Sequence, residues 1–301
     1  MANALKIEDV SKQFGSFYAV KQLSFAIPER AIYGLLGPNG AGKTTTIRMV
    51  MNIIIPDSGR IEVLGRSMDE DMKTRIGYLP EDRGLYPKMR LGEQLLFLAA
   101  LKGLRLAQAR QTIDLWLERF DLMDWRSKKT EELSRGMQQK AQFIATILHD
   151  PRLIILDEPF SGLDPVNTKL FKDVMLEMRD RGATIIFSTH RMEQVEMICD
   201  EICLINKAEK VLEGSLKEIK QQYGKNTVVL EYEGDAGFVR KFPGIAKLDD
   251  YGRYMEIQLK ESVDPQELLK LVTGRLRVGR FEVKEPTLNA IFIDKVGGSH
   301  A

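Results

Sequence analysis

Residues 37–45 read Gly37, Pro38, Asn39, Gly40, Ala41, Gly42, Lys43, Thr44 and Thr45. This order fits the pattern G-x-x-x-x-G-K-[ST], in which a glycine-rich turn wraps around phosphate groups. An apolar run of strand length precedes the pattern at residues 31–36 (AIYGLL), and residues 44–51 follow it with apolar side chains at helical spacing. A strand, a glycine turn and a helix in this order direct several backbone amides towards one point. The stretch therefore predicts a phosphate-binding loop.

The chemistry of this loop suits a nucleoside triphosphate. Its three glycines permit positive φ angles and place no Cβ between the backbone and a phosphate. The first amides of the following helix favour negative charge. Lys43 adds a positive charge for the terminal phosphates, and the hydroxyl of Thr44 can join a magnesium shell. We expect a nucleoside triphosphate and Mg²⁺ here; the alternative is an ordinary glycine-rich turn with a solvated lysine.

Two adjacent acids, Asp157 and Glu158, end a second apolar run at residues 153–156 (LIIL). Successive side chains of an extended backbone point apart, so the two carboxylates can reach different targets. Asp157 is expected to hold magnesium together with Thr44. Glu158 is expected to accept a proton from the water that attacks the γ-phosphate, or to orient that water. The alternative is two exposed acids before a helix, and the presence of the glycine loop in the same chain favours the functional interpretation over it.

Alternating apolar segments predict an α/β fold with a mixed, mainly parallel sheet. Residues 5–30 alternate apolar and polar side chains, which indicates an antiparallel pair of strands. Helical periodicity over residues 91–102 and 106–120 predicts a helical insertion at about residues 90–150. Further predicted strands are residues 60–64, 75–79, 153–156, 183–188, 202–205 and 210–212, and further predicted helices are residues 165–180 and 191–198.

A second, smaller domain is expected after a boundary near residues 214–224, which divides the chain into residues 1–215 and 216–301. Predicted strands at residues 227–232, 254–259 and 275–283 alternate with helices near residues 237–242 and 265–273. The order, roughly β-α-β-β-α-β, predicts a small α+β domain of the ferredoxin-like kind.

Composition excludes several classes of protein. The chain has 301 residues with 44 basic and 43 acidic side chains, a net charge of +1, so no global attraction to nucleic acid is expected. Apolar runs such as residues 95–101 are far shorter than the ~20 residues that span a bilayer. The first residues carry no signal-peptide pattern, and we expect a cytosolic protein. Cys199 and Cys203 are expected to be reduced, partly buried thiols.

Further motifs, in a fixed order along the chain, resemble those of the ATP-binding cassette (ABC) ATPases over about residues 3–215. Residues 133–137 (LSRGM) resemble the family signature LSGGQ, residues 161–164 (SGLD) the D-loop, and residues 188–190 (STH) the switch-histidine segment. Glu81 stands where the family has its Q-loop, and Phe14 matches the aromatic residue that stacks on adenine. Residues 80–89 (PEDRGLYPKM), 133–140 (LSRGMQQK) and 285–292 (EPTLNAIF) resemble bacterial sodium and multidrug exporter ATPases.

The resemblance implies a head-to-tail dimer with two ATP molecules at its interface, formed with a second copy or a homologous subunit. Each ATP would lie between the phosphate loop of one subunit and Ser134, Arg135 and Gly136 of the other. Asp164 would meet its counterpart across the interface, and His190 would contact the γ-phosphate. The expected machinery comprises the catalytic Lys43, Glu158 and His190, the metal ligands Thr44, Glu81 and Asp157, and Phe14 on adenine.

The implied function is that of an exporter's ATPase subunit, peripheral on the inner face of the cell membrane through a separate integral membrane permease. Two residues depart from the family pattern: Arg135 replaces a signature glycine, and Glu81 replaces the usual glutamine. Arg135 either assists phosphate binding or turns to solvent. The alternative functions are an ATP-sensing regulatory cassette without transport and a nucleic-acid-associated ABC ATPase.

Overall fold

The computed structural model describes residues 2–82, 84–222, 227–260 and 263–297. The chain forms two compact units that divide between Gly214 and Ser215. Within these described ranges, no helix is both long enough and apolar enough to cross a bilayer.

The first unit alternates strands and helices along most of its length. Its strands are β1 (Asn3–Phe14), β2 (Phe17–Pro28), β3 (Ile32–Leu36), β4 (Ser58–Val63), β5 (Ile76–Leu79), β6 (Leu153–Asp157), β7 (Thr184–Thr189), β8 (Glu201–Asn206) and β9 (Glu209–Ser215). Its α-helices are α1 (Lys43–Val50), α2 (Glu70–Thr74), α3 (Leu91–Leu101), α4 (Leu106–Arg119), α5 (Arg135–Ile147), α6 (Pro165–Asp180) and α7 (Met192–Glu196). Short 3₁₀ turns lie at Met123–Trp125 and Thr130–Glu132.

A six-stranded sheet in the order β5-β6-β7-β3-β8-β9 forms the centre of this unit. The pairs β5–β6, β6–β7, β7–β3 and β3–β8 are parallel. Strands β3, β6 and β7 are buried along their whole length, which explains their continuous apolar sequences. Their carboxyl ends lie side by side at one edge of the sheet, where parallel α/β sheets bind ligands.

An antiparallel sheet, β2-β1-β4, packs against one face of this centre. The shared core includes Val10 and Leu23 of the antiparallel sheet, Leu35 of β3 and Ile47 of α1. The mixed sheet, the antiparallel subdomain and the helical insertion confirm the predicted α/β fold class. An aromatic cluster joins the insertion to α6, since the rings of Phe143 in α5 and Phe171 in α6 stack with centroids 4.3 Å apart. The ring of Phe120, directly after α4, packs edge-on against both.

The second unit has α+β architecture, as predicted. It comprises α8 (Leu216–Gln222), β10 (Thr227–Glu233), β11 (Ile245–Asp250), β12 (Tyr254–Leu259), α9 (Pro265–Thr273), β13 (Arg277–Lys284) and α10 (Leu288–Gly297). The sheet order is β11-β12-β10-β13, with antiparallel neighbours throughout. The helix predicted near residues 237–242 is only a 3₁₀ turn, Val239–Lys241. Strand β11 was not predicted, because its residues are half-buried or exposed and do not alternate.

Candidate nucleotide-binding site

Two glycines of the phosphate loop have backbone conformations that other residues rarely adopt. Gly37 has a φ of 152°, and a Cβ there would lie 2.2 Å from the carbonyl oxygen of Ile205. Gly42 has a φ of 111°, and a Cβ there would lie 2.3 Å from the carbonyl oxygen of Ala19. The loop is therefore held between the backbones of β8 and β2, and both positions require glycine.

Lys43 is the first residue of α1 and is almost completely buried, with 6% of its surface exposed. Its Nζ donates hydrogen bonds to the carbonyl oxygens of Gly37 at 2.9 Å and Pro38 at 3.1 Å. Burial lowers the pKa of Lys43, and nearby carboxylates oppose that shift. These carboxylates are Glu158, Asp157 and Glu81. The ammonium group thus lies at the point where the loop, the strand acids and Glu81 converge.

The phosphate loop forms one side of a cleft of about 270 Å³. The residues that line it are Phe17, Ala19, Asn39, Gly40, Gly42, Lys43, Thr44, Thr45, Glu81 and Glu158. All of these except Phe17 and Ala19 belong to the predicted site. The cleft brings together the loop after β3, the segment after β5 and the end of β6.

Asp157, the last residue of β6, is 1% exposed and stands in register with Ser188 of β7. The hydroxyl of Ser188 donates a hydrogen bond to Asp157 Oδ1, whereas Oδ2 has no hydrogen-bond partner within the described residues. Burial raises the pKa of Asp157, and the hydroxyls of Ser188 and Thr44 oppose that shift. A buried, unpaired carboxylate oxygen beside a threonine hydroxyl fits a magnesium ion, which prefers oxygen ligands.

Glu158 follows β6 with a φ of 50°, in the left-handed region that non-glycine residues seldom occupy. Its Oε1 accepts a hydrogen bond from the backbone N–H of His190 at 3.1 Å and lies 2.8 Å from His190 Nδ1. Its Oε2 lies 3.2 Å from the hydroxyl of Thr189. The structure therefore brings together Glu158 and His190, two of the predicted catalytic residues.

The signature residues lie at the start of α5. Ser134 caps this helix, since its Oγ accepts a hydrogen bond from the backbone N–H of Met137 at 3.3 Å. Ser134 and Arg135 are exposed, and Gly136 is half-buried, so that a Cβ there would lie 3.6 Å from the carbonyl oxygen of Gly162. None of the three lines the cleft around Lys43. Within one chain, the signature and the phosphate loop are separate surfaces.

Asp164 caps the next helix, α6. Its Oδ1 accepts a hydrogen bond from the backbone N–H of Asn167 at 2.9 Å, and its Oδ2 accepts one from Asn167 Nδ2 at 2.6 Å. These hydrogen bonds lower the pKa of Asp164. The exposed carboxylate thus fixes the start of α6 next to the D-loop.

The two aromatic residues at the β1–β2 turn have different surroundings. Phe14 is 51% exposed, and Lys12 Nζ lies 5.5 Å above its ring. Phe17, three residues later, is 61% exposed and lines the cleft. Phe14 remains the predicted adenine contact, and Phe17 is an aromatic residue of the site that the sequence interpretation missed.

Hydroxyl and amide side chains around the acids were also missed as contributors. Sequence order alone places Ser188 and Thr189 in the switch segment, and it gives Gln194 of α7 no role. Gln194 is 6% exposed, and its Oε1 lies 3.0 Å from the hydroxyl of Thr189. The available signal for the first two is that a serine and a threonine directly follow the apolar run at residues 183–187.

Comparison with known proteins identifies the family of both units. A family model described as ABC transporter matches residues 20–161. A second model, described as ATP-binding protein DrrA1-3-like, C-terminal domain, matches residues 214–296. A solved structure described as the ATP binding subunit of an ABC transporter superposes with a TM-score of 0.69 and 30% identity, over 73% of this chain and 93% of that chain.

Relatives that match nearly the whole chain are named ATP-binding proteins. The uncharacterized ABC transporter ATP-binding protein YhaQ of Bacillus subtilis (strain 168) is 45% identical over 97% of this chain and 98% of its own length. The linearmycin resistance ATP-binding protein LnrL of the same organism is 31% identical over 97% of this chain and 98% of its own length. The Nod factor export ATP-binding protein I of Burkholderia orbicola (strain AU 1054) is 30% identical over 97% of each chain. This chain therefore belongs to the ABC transporter ATP-binding proteins, the ATPase subunits that work with membrane permeases.

Proposed function

We propose that this chain hydrolyses ATP at the interface of a head-to-tail dimer and thereby drives a separate membrane permease that exports its substrate. The partner in the dimer is a second copy or a homologous subunit, and the complex places the chain on the inner face of the cell membrane. Two relatives, whose names refer to linearmycin resistance and to Nod factor export, support this direction of transport. The substrate class is set by the permease.

One observation carries the dimer proposal. The phosphate loop and the carboxylates share one cleft, whereas Ser134 caps a helix whose exposed N-terminal end lies outside the lining of that cleft. The free amides and dipole of α5 form a second surface that attracts negative charge. An ATP bound by one copy can meet this surface only on another chain. Arg135, at the first turn of α5, adds a positive charge to the same surface.

The side chains of the cleft have separate tasks in hydrolysis. Lys43 and the amides of the phosphate loop bind the negative charge of the β- and γ-phosphates. Glu158 accepts the proton of the attacking water. His190, whose Nδ1 lies within hydrogen-bond distance of the Glu158 carboxylate, orients that carboxylate towards the water at the γ-phosphate. Asp157 and Thr44, with Glu81 at the edge of the cleft, would hold Mg²⁺, which when bound neutralises phosphate charge.

An exposed aromatic pair offers a docking surface for the permease. Tyr86 and Phe97 are 55% and 41% exposed, and their rings meet edge-on with centroids 6.1 Å apart. Tyr86 belongs to the segment that follows Glu81, and its backbone N–H donates to Gln94 Oε1 at 3.1 Å. A permease segment that packs on this pair would therefore also contact the segment that enters the cleft.

The decisive experiment compares the wild-type chain with the Glu158→Gln variant. Glutamine preserves shape but cannot accept the proton, so ATP hydrolysis should fall at least ~100-fold while ATP binding is retained. Hydrolysis at the parental rate would overturn the assignment of Glu158.

A second experiment tests the docking surface formed by Tyr86 and Phe97. A membrane protein should co-purify with the wild-type chain and be lost with Phe97→Ala. It should be retained with Leu115→Ala, which removes an exposed leucine from the same helical insertion. Loss with both variants, or with neither, contradicts the docking surface.

A further inference from the structure

Two consecutive acids at the end of β6 face two consecutive hydroxyls at the end of β7. The parallel register pairs Asp157, the last residue of β6, with Ser188. Glu158, the first residue after β6, lies with its Oε2 3.2 Å from the hydroxyl of Thr189, the last residue of β7. Ser188 bonds the acid expected to hold the metal, and Thr189 bonds the acid expected to accept the proton.

The hydroxyl of Thr189 has two hydrogen-bond acceptors within reach but only one proton to donate. Its side chain is completely buried, and its Oγ1 accepts a hydrogen bond from the backbone N–H of Arg191 at 3.1 Å. Two acceptors then compete for the one hydroxyl proton: Glu158 Oε2 at 3.2 Å and Gln194 Oε1 at 3.0 Å. A hydroxyl donates one hydrogen bond at a time, so a bond to one acceptor leaves the other without it.

Gln194 is held in place for this contact. It lies on α7, is 6% exposed, and its backbone N–H bonds the carbonyl oxygen of Arg191 at 3.2 Å. A buried amide oxygen that loses its donor pays a desolvation cost, so the fixed Gln194 competes effectively for the Thr189 proton.

We propose that Gln194 is a positioning residue for hydrolysis, because it draws the Thr189 hydroxyl proton away from Glu158. When Thr189 donates to Gln194, one lone pair of Glu158 Oε2 is released to meet the attacking water. When Thr189 donates to Glu158, that lone pair is occupied and proton transfer from water is disfavoured. The proposal rests on the proposed role of Glu158, but it concerns a residue that need not touch ATP.

The test measures kcat and KM for ATP hydrolysis by the full chain. Gln194→Met keeps the length of the side chain but removes the competing acceptor, so kcat should fall about five- to tenfold while KM stays within about twofold. The same fall is expected in the Thr189→Ser background, which keeps the hydroxyl. In the Thr189→Val background the proton is gone, so adding Gln194→Met should change kcat by less than about twofold.

Several results would overturn the proposal. An equal fall of kcat in the Thr189→Val background would mean that Gln194 does not act through the hydroxyl, and so would a rise of KM with unchanged kcat. Gln194→Leu replaces Gln194→Met if the latter is not folded by circular dichroism. The Glu158→Gln variant, measured beside these, separates the role of Glu158 from that of Gln194. Full activity of Glu158→Gln would refute Glu158 as the base. An inactive Glu158→Gln together with a fully active Gln194→Met would refute only the role of Gln194.

Discussion

Three carboxylates, Glu81, Asp157 and Glu158, surround a single buried lysine. Such an excess of negative charge opposes the binding of an anionic nucleotide unless a cation compensates it. Glu81 is the most peripheral of the three, since it is exposed at the edge of the cleft. Its charge therefore has its largest effect on how strongly the site depends on Mg²⁺.

At the level of single residues, Glu81→Gln should alter this dependence. Removal of one carboxylate weakens the attraction for the cation, so the Mg²⁺ concentration that gives half-maximal ATP hydrolysis should rise about threefold or more. Titration of ATPase activity with Mg²⁺ measures this half-maximal concentration. The matched control is Asp82→Asn, because the neighbouring Asp82 side chain is 93% exposed. Equal curves for Glu81→Gln and wild type would remove the special role of Glu81.

Among the structural elements, the phosphate loop depends on backbones that approach it from two sides. The Ala208 N–H between β8 and β9 bonds the carbonyl oxygen of Ala41 at 3.2 Å, and the β2 carbonyl of Ala19 lies against Gly42. The loop is thus preorganised by strands from both sheets of its unit, which limits the substitutions it accepts.

Gly42→Ala should therefore lower the free energy of unfolding by at least about 2 kcal/mol and abolish ATP binding, because the new Cβ meets the carbonyl of Ala19. Urea unfolding and the fluorescence of a labelled ATP analogue measure the two effects. Gly103→Ala is the control, since Gly103 has a φ of 82° but a Cβ at that position would meet nothing within 4 Å. Gly103→Ala should lower the free energy of unfolding by about 1 kcal/mol and leave ATP binding intact. Binding by Gly42→Ala at parental affinity would contradict the close approach.

Most central strands were predictable from the sequence because they are buried on both faces and therefore continuously apolar. Strand β11 and helix α8 were not, since β11 has no buried residue and α8 has only two. The loop and its acids were recognisable because each lies within a short stretch of chain. Thr189 contacts both Gln194 of α7 and Glu158 after β6, and such contacts between distant elements depend on the fold rather than on any local pattern.

On the scale of the whole molecule, His149 makes stability depend on pH. Its Nε2 lies 3.2 Å from the carbonyl oxygen of Ile76, and its Nδ1 is buried without a partner among the described residues. Burial, aided by the charge of Lys102, lowers the pKa of His149 from 6.5 to about 4. The native state therefore keeps a neutral imidazole at pH values where the unfolded chain has already bound a proton.

The free energy of unfolding should consequently fall as pH drops from about 6.5 to about 4, by at most about 3 kcal/mol from this group. His149→Gln keeps a donor for the Ile76 carbonyl but does not titrate, so it should flatten the curve in this window. Urea unfolding of both proteins at several pH values gives the difference. Parallel curves for the two proteins would show that His149 is not the group responsible.

In the proposed mechanism, two chains close around shared ATP and separate after its hydrolysis. Light scattering of the Glu158→Gln variant at saturating Mg·ATP tests this closure, with Mg·ADP as the control. With ATP we expect a particle of twice the 34.2 kDa of one chain, and with ADP a single chain. A variant that binds ATP yet remains a single chain, alone and beside its permease, would contradict it.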